Sequence, residues 1–273
     1  MFRWAARIAG ICGLTLLAGC GTTESARGPS LQPRPELTWQ AAIGELSTSD
    51  SKIHCSAVLV ARDVIATASH CLYLETTQRP ASPHDLIFRP NLGALRVLPP
   101  SRGVEFIAKG EGAIRGGPLK NWEVSNDWLL VRISPPVTAV QPITVARLTI
   151  EGMLEMVRSG YRLVVAGYGN GPDDMLKVNE RCRLLSQVKL GWFLDDSWLQ
   201  LDCALRIGDS GGGIILLDGA GQPALVGVVA GIGKFKTRPL GLGVNASQFL
   251  PYLRQPISRA PVPVPVLAAL PAD

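Results

Sequence analysis

Gly208-Asp209-Ser210-Gly211-Gly212 is the stretch on which the reading of the fold turns. A serine hydroxyl is a poor nucleophile unless a base takes its proton and fixed donors stabilise the oxyanion that follows. Glycines beside it let the backbone turn sharply and aim N–H groups at a developing negative charge. Five such residues can also be a glycine-rich turn with an incidental serine, so the rest of the chain must decide. The chain has three histidines, His54, His70 and His84, and all lie upstream of Ser210.

That order separates two folds. The pentapeptide also satisfies G-x-S-x-G, the nucleophile elbow of α/β-hydrolases, but those enzymes place their histidine after the serine. No histidine follows Ser210. The opposite order, histidine, acid, serine, is available. Thr67-Ala68-Ser69-His70-Cys71 ends a strand-like run, and Ser125-Asn126-Asp127 heads another. An acid at the head of an apolar strand would be largely buried, as an orienting partner for imidazole should be. Taken singly, Asp127 reads as a strand-start turn residue and His70 as a core or surface histidine.

Around these points the chain has the grammar of strands and turns. Short runs rich in Val, Ile and Leu occupy 57–60, 64–68, 128–133, 162–166, 214–217 and 224–230, separated by Gly, Pro, Asn or Asp. The segment 183–190 alternates in its second half, as a half-exposed strand would. The 29 glycines and 21 prolines, against 6% aromatics, favour many short strands over long helices. Helical spacing is read only near Phe249, Leu250 and Leu253, with Pro251 in the first turn. The expectation is an all-β domain over 38–257 with a short C-terminal helix and no internal repeat.

Outside that body the composition changes. Arg3 and Arg7 precede an apolar stretch over 8–18, too short for the roughly 20 residues that span a bilayer. It ends in Leu17-Ala18-Gly19-Cys20, which resembles a bacterial lipobox, so 1–19 reads as a lipoprotein signal peptide with Cys20 lipidated. Gly21 in place of Asp suggests, by the same resemblance, the outer membrane at its periplasmic face. Residues 20–37 read as a tether, and 258–273 as an extended proline-rich tail. Net charge is +5 with the basic residues scattered, so no nucleic-acid partner is expected.

Cysteine use agrees with export. Cys12 falls in the signal and Cys20 takes the lipid, leaving Cys55, Cys71, Cys182 and Cys203. Four cysteines allow three pairings, of which Cys55–Cys71 with Cys182–Cys203 is the simplest. No CxxC pair or HxxxH spacing suggests a metal.

Together the segments around His70, Asp127 and Ser210 resemble the trypsin/chymotrypsin family of serine peptidases. Its T-A-A-H-C appears as Thr67-Ala68-Ser69-His70-Cys71, its N-D-I-A-L-L as Asn126-Asp127-Trp128-Leu129-Leu130-Val131, and its G-D-S-G-G-P as 208–213 with Gly213 for proline. Trp39-Gln40-Ala41-Ala42-Ile43 looks like its first strand, Gly167-Tyr168-Gly169 like its G-W-G turn, and Gly243-Val244 like the approach to its closing helix. The resemblance implies two six-stranded antiparallel β-barrels with the site between them, no cofactor and a polypeptide substrate. It makes Ser210 the nucleophile, His70 the base, Asp127 its orienting acid, and the N–H groups of Gly208 and Ser210 the oxyanion hole.

Departures from the family pattern bear on activation and specificity. No Arg/Lys-Ile-Val-Gly-Gly site precedes Trp39, so Asp209 cannot pair with a freed amino terminus of that kind, and Arg206 is the candidate substitute. The resemblance puts Ala204, Leu205 and Val229 around the substrate pocket. Ala204 offers no carboxylate for a Lys or Arg side chain, which favours uncharged residues, or acidic ones if Arg206 turns inward. Two functions fit this pattern: an active envelope endopeptidase, and a peptidase-like binding or adaptor module without turnover.

Overall fold

Strands β1 (Ile43–Thr48), β2 (His54–Ala61) and β3 (Val64–Thr67) run up and down, followed by a small ribbon of β4 (Tyr73–Leu74) and β5 (Arg79–Pro80). Then come β6 (Leu86–Pro90), β7 (Ser101–Lys109) and β8 (Leu129–Ser134). The six longer strands close a barrel in the order β1-β2-β3-β8-β7-β6, every pairing antiparallel. The computed structural model describes residues 38–48, 54–74, 79–91, 99–110, 124–169, 175–186, 196–235 and 238–253. The expected signal, tether and tail at 1–19, 20–37 and 258–273 lie outside these residues.

The second half contains β9 (Thr144–Val145), helix α1 (Ile150–Arg158), β10 (Arg162–Gly167), β11 (Lys177–Asn179), β12 (Trp198–Leu201), β13 (Gly213–Leu217), β14 (Pro223–Phe235) and β15 (Arg238–Asn245). Its sheet runs β11-β10-β13-β14-β15-β12, and β9 joins β14 in parallel. A bridge between Leu184 and Leu201, with Leu185 N–H donating to Gln200 O at 2.9 Å, brings the chain after β11 against β12. The second sheet thus repeats the strand order of the first barrel, a repeat that no sequence similarity announces.

The strands of this second sheet are buried on both faces. Along β13, Ile215 and Leu217 belong to the core shared with the first barrel, while Ile214 and Leu216 fill the second core. Along β10, Val164 and Ala166 face one way, and Leu163 and Val165 the other. Strands covered on both sides need apolar residues at every position, which is why these segments read as continuous runs rather than alternations.

Three expectations change. The segment expected as the first strand, from Trp39 to Ile43, is a 3₁₀ turn over Trp39–Ala42, closed by Ala41 N–H donating to Thr38 O at 2.9 Å; the strand begins at Ile43. The expected closing helix is, among the described residues, two 3₁₀ turns, Ala246–Gln248 and Leu250–Tyr252. Pro251 has no N–H to give Ser247 O, so one i→i−4 bond cannot form there. Helix α1 was not expected at all, although Thr149 caps it by accepting from Gly152 N–H at 3.1 Å. Of the strand expected over 183–190, residues 187–190 lie outside the described set.

Both disulfides take the sequence-local pairing, Cys55–Cys71 and Cys182–Cys203, with Cα separations of 6.2 and 4.8 Å. The first joins the start of β2 to the turn after β3 across 16 residues. Replacing Cys55 and Cys71 by alanine should lower unfolding free energy by about 3 kcal/mol, the chain-entropy value for a loop of this size. Urea titration of both proteins checks this, and an unchanged midpoint would show that the staple is dispensable.

Candidate active site

The register Thr67↔Leu129 between β3 and β8 decides the first half of the site. Two residues beyond it on one strand stands Ser69, and two before it on the other stands Asp127. The 3₁₀ turn Ser69–Leu72 then brings His70 over that acid. Asp127 is fully buried. Its Oδ1 accepts from Ser69 Oγ–H and from His70 N–H, each at 2.8 Å, and its Oδ2 lies 2.7 Å from His70 Nδ1. An ionised carboxylate has no proton to give, so Nδ1 carries the hydrogen and Nε2 is left with its lone pair.

Ser210 belongs to the turn before β13, and that turn rests on β2. Ser56 N–H donates to Ser210 O at 2.7 Å. The Ser210 carbonyl oxygen lies 3.9 Å from the Cys71 sulfur, in the residue adjacent to His70. Gly211 has φ +78°, and a β-carbon there would collide with Thr67 Oγ1 and Ser56 O. Only glycine lets the turn come this close to the strand that leads to His70. Gly211 N–H donates to Val229 O at 2.7 Å, and Val229 N–H to Gly212 O at 2.9 Å, which ties the turn to β14.

Just upstream, Asp209 N–H donates to Arg206 O at 3.1 Å, closing a four-residue turn with Gly208 at its third position and φ +99°. That is the type II pattern, which requires glycine there and sets the direction of the Ile207–Gly208 peptide. Asp209 is buried, and burial pushes its carboxyl above the ordinary 3.8. Opposing this are bonds from the backbone N–H groups of Arg206, at 2.7 Å, and Gly169, and lastly the Arg206 charge. The expected role of Arg206 is therefore played mainly by its main chain. Gly167 and Gly169 frame the carboxylate so closely that a β-carbon on either would lie 2.9 or 2.8 Å from Asp209 Oδ1.

The three pocket residues do not form one lining. Ala204 is exposed on a cleft of about 420 Å³ bordered also by Leu205, Arg206, Asp209 and β11. Leu205 and Val229 are 8% and 1% exposed and belong to the second core. Val229 does not border this cleft, because its β14 face turns into the barrel. Cys55, Cys71 and His70 offer ligand-type atoms within 4.8 Å of one another, but both sulfurs are committed to the disulfide. Sequence reasoning missed Ser56, whose one visible signal is that it is the single polar residue between Cys55 and Ala61.

Burial is the largest influence on His70 and pulls its pKa down, but the charge of Asp127 and then its hydrogen bond outweigh it, leaving the pKa above 6.5. A raised folded-state value means that protonated His70 stabilises the fold below the unfolded pKa, and this is lost as pH rises through the folded pKa. In an NMR titration the His70 ring should therefore titrate above 6.5. Asp127→Asn removes the opposing charge and leaves burial to dominate, so the midpoint should move below 6.5. Equal midpoints in the two proteins would refute the pairing.

No curated protein matches the chain. The sequence model of the Trypsin family matches residues 28–253, which takes in both halves of the fold and all three of His70, Asp127 and Ser210. The chain belongs to the trypsin family.

Proposed function

We propose that this chain is a serine endopeptidase in which Ser210, His70 and Asp127 act as a triad. The observation that carries the reading is the buried Asp127 carboxylate gripping both the ring and the backbone of His70. With Nδ1–H held by Asp127, Nε2 can take the Ser210 hydroxyl proton as Oγ attacks a peptide carbonyl. His70 then returns that proton to the leaving amine, and water hydrolyses the acyl-enzyme by the same route. The N–H groups of Gly208 and Ser210 would receive the oxyanion, and the type II turn at Gly208 is what orients the first of them.

A polypeptide substrate suits the edge of β14. Val229 is the last β14 residue bonded to the nucleophile turn, and β15 covers one side of the strand as far as Phe235. No strand among the described residues pairs with the other side of 230–233. An extended peptide adding there as a strand would place its backbone beside Ser210. Exposed Ile207 and Ile232 offer apolar contacts, and Ala204 brings no carboxylate, so we propose cleavage after uncharged apolar residues.

A fluorophosphonate should label the wild-type chain, since only an activated serine reacts. Ser210→Ala should abolish labelling and lower peptide hydrolysis by about 10⁶-fold. An unlabelled wild type would favour the adaptor reading. Profiling a peptide library should show cutting after small or medium apolar residues. Dominant cutting after Lys or Arg would refute the pocket reading, and cutting after Glu or Asp would point to Arg206.

We also propose that export and lipidation at Cys20 hold the domain at the periplasmic face of the outer membrane, a reading supported by Leu17-Ala18-Gly19-Cys20. Cys20→Ala should move the protein from the membrane fraction to the soluble fraction of the envelope. Retention with the membrane would show that no lipid on Cys20 is needed to hold it there.

A further inference from the structure

We propose that Ser56 is a positioning residue for the oxyanion site, holding the two peptide groups that flank the Ser210 N–H; this rests on Ser210 being the nucleophile. Ser56 is fully buried in β2, directly after Cys55. Its Oγ–H donates to Gly208 O at 2.7 Å, and its Oγ accepts from Tyr168 N–H at 2.7 Å. Its own N–H donates to Ser210 O at 2.7 Å, and its carbonyl accepts from Thr67 Oγ–H at 2.8 Å.

A hydroxyl has one proton, and the Tyr168 N–H can only donate, so the proton of Ser56 is committed to Gly208 O. Each peptide group is a rigid plane. Fixing Gly208 O fixes the plane that ends at Asp209 N, and fixing Ser210 O fixes the plane that ends at Gly211 N. Between them lies the peptide that carries the Ser210 N–H. Asp209, the residue joining the first two of these planes, is itself held through its carboxylate by Arg206 N–H and Gly169 N–H. With both neighbouring planes held, the Ser210 N–H has a set direction before any substrate arrives. On the other side, with Gly208 O fixed, the Gly208 N–H is aimed by the two torsions of Gly208 alone, of which φ stands at +99°.

Main-chain contacts from β2 alone would hold only Ser210 O. The hydroxyl adds the second point, and it ties the end of β10 at Tyr168 into the same joint. The Thr67 contact ties in the strand that leads to His70. Removing the hydroxyl leaves Gly208 O and Tyr168 N–H without this partner and frees the Gly208–Asp209 peptide to rotate. The loss should appear where charge develops on the substrate oxygen and not in substrate docking.

The test compares four variants of the full chain. Ser56→Ala should lower kcat about 10- to 100-fold, less than the 10²–10³ that follows outright loss of an oxyanion donor, with KM within about threefold. Affinity for a peptide boronate, whose tetrahedral oxygen occupies the oxyanion site, should fall in parallel with kcat. Ser56→Thr and Ser56→Val share one shape and differ in the hydroxyl, so packing damage cancels between them. The Thr variant should exceed the Val variant at least tenfold in kcat and in fluorophosphonate labelling rate. Equal rates for Thr and Val, or an Ala variant with wild-type kcat, would overturn the role of Ser56 while leaving the triad intact. A defect confined to KM would overturn it equally. Failure of Ser56→Ala to fold leaves the Thr–Val comparison to decide. A wild-type chain that neither labels nor hydrolyses would overturn this proposal together with the peptidase reading, and Ser210→Ala serves as the blank that tells the cases apart.

Discussion

A carboxylate kept out of water costs several kcal/mol unless donors meet its oxygens, and Asp127 is such a group. Its three contacts come from two adjacent residues, Ser69 and His70. The geometry therefore depends on the pairing of β3 with β8. A slip of one residue would turn the side chains of β8 to the opposite face and leave the charge unsatisfied. The Cys55–Cys71 disulfide and the 3₁₀ turn it anchors hold the donors in place. Trp128, next to the acid, is covered from the far end of the chain by Phe249 and Tyr252, with ring centroids at 6.1 and 5.3 Å. The acid is thus held by local register on one side and by the last described turn on the other.

The turn carrying Ser210 reaches the same place by a different device. It is built between β12 and β13 but rests on β2, through Ser56 and through a glycine that presents no side chain to it. The two halves of the fold meet along strands buried on both faces, so the docking of Ser210 beside the His70 staple is backed by apolar packing on either side. Asp209 is stabilised within the second half by the backbone of Arg206 and Gly169. The turn carrying Gly208 is closed beside it by Asp209 N–H donating to Arg206 O.

Much of the site was legible because its members are chemically unusual where they stand. A serine between glycines, a histidine beside a cysteine at the end of an apolar run, and an acid at the head of another are each visible in one dimension, and their order excluded the competing hydrolase. The strands were legible for the same reason, since doubly buried strands need unbroken apolar runs. The region from Trp39 to Ile43 misled because a 3₁₀ turn and a strand can present the same short apolar segment, and what separates them is i→i−3 bonding, from Ala41 N–H to Thr38 O and from Ile43 N–H to Gln40 O. Helix α1 was missed although Ile150, Met153, Leu154 and Val157 stand at helical spacing behind the Thr149 cap; it is nine residues long and carries Gly152 in its first turn, which makes the signal a short one.

The sequence by itself supplied the candidate chemistry: His70, Asp127 and Ser210 in that order, four cysteines in the folded body, and glycines where the backbone must turn. These depend on residue type and short-range sterics, which a linear chain carries without reference to its partners. Tertiary structure alone decided that Val229 belongs to a core and not to the cleft at Ala204, that Leu205 is buried at the border of that cleft, and that main-chain N–H groups support Asp209. It also decided that Ser56 joins both halves of the fold at Gly208 and Ser210. Its bond to Gly208 spans 152 residues of chain, and no local pattern encodes which serine of a buried strand will face a carbonyl so far away.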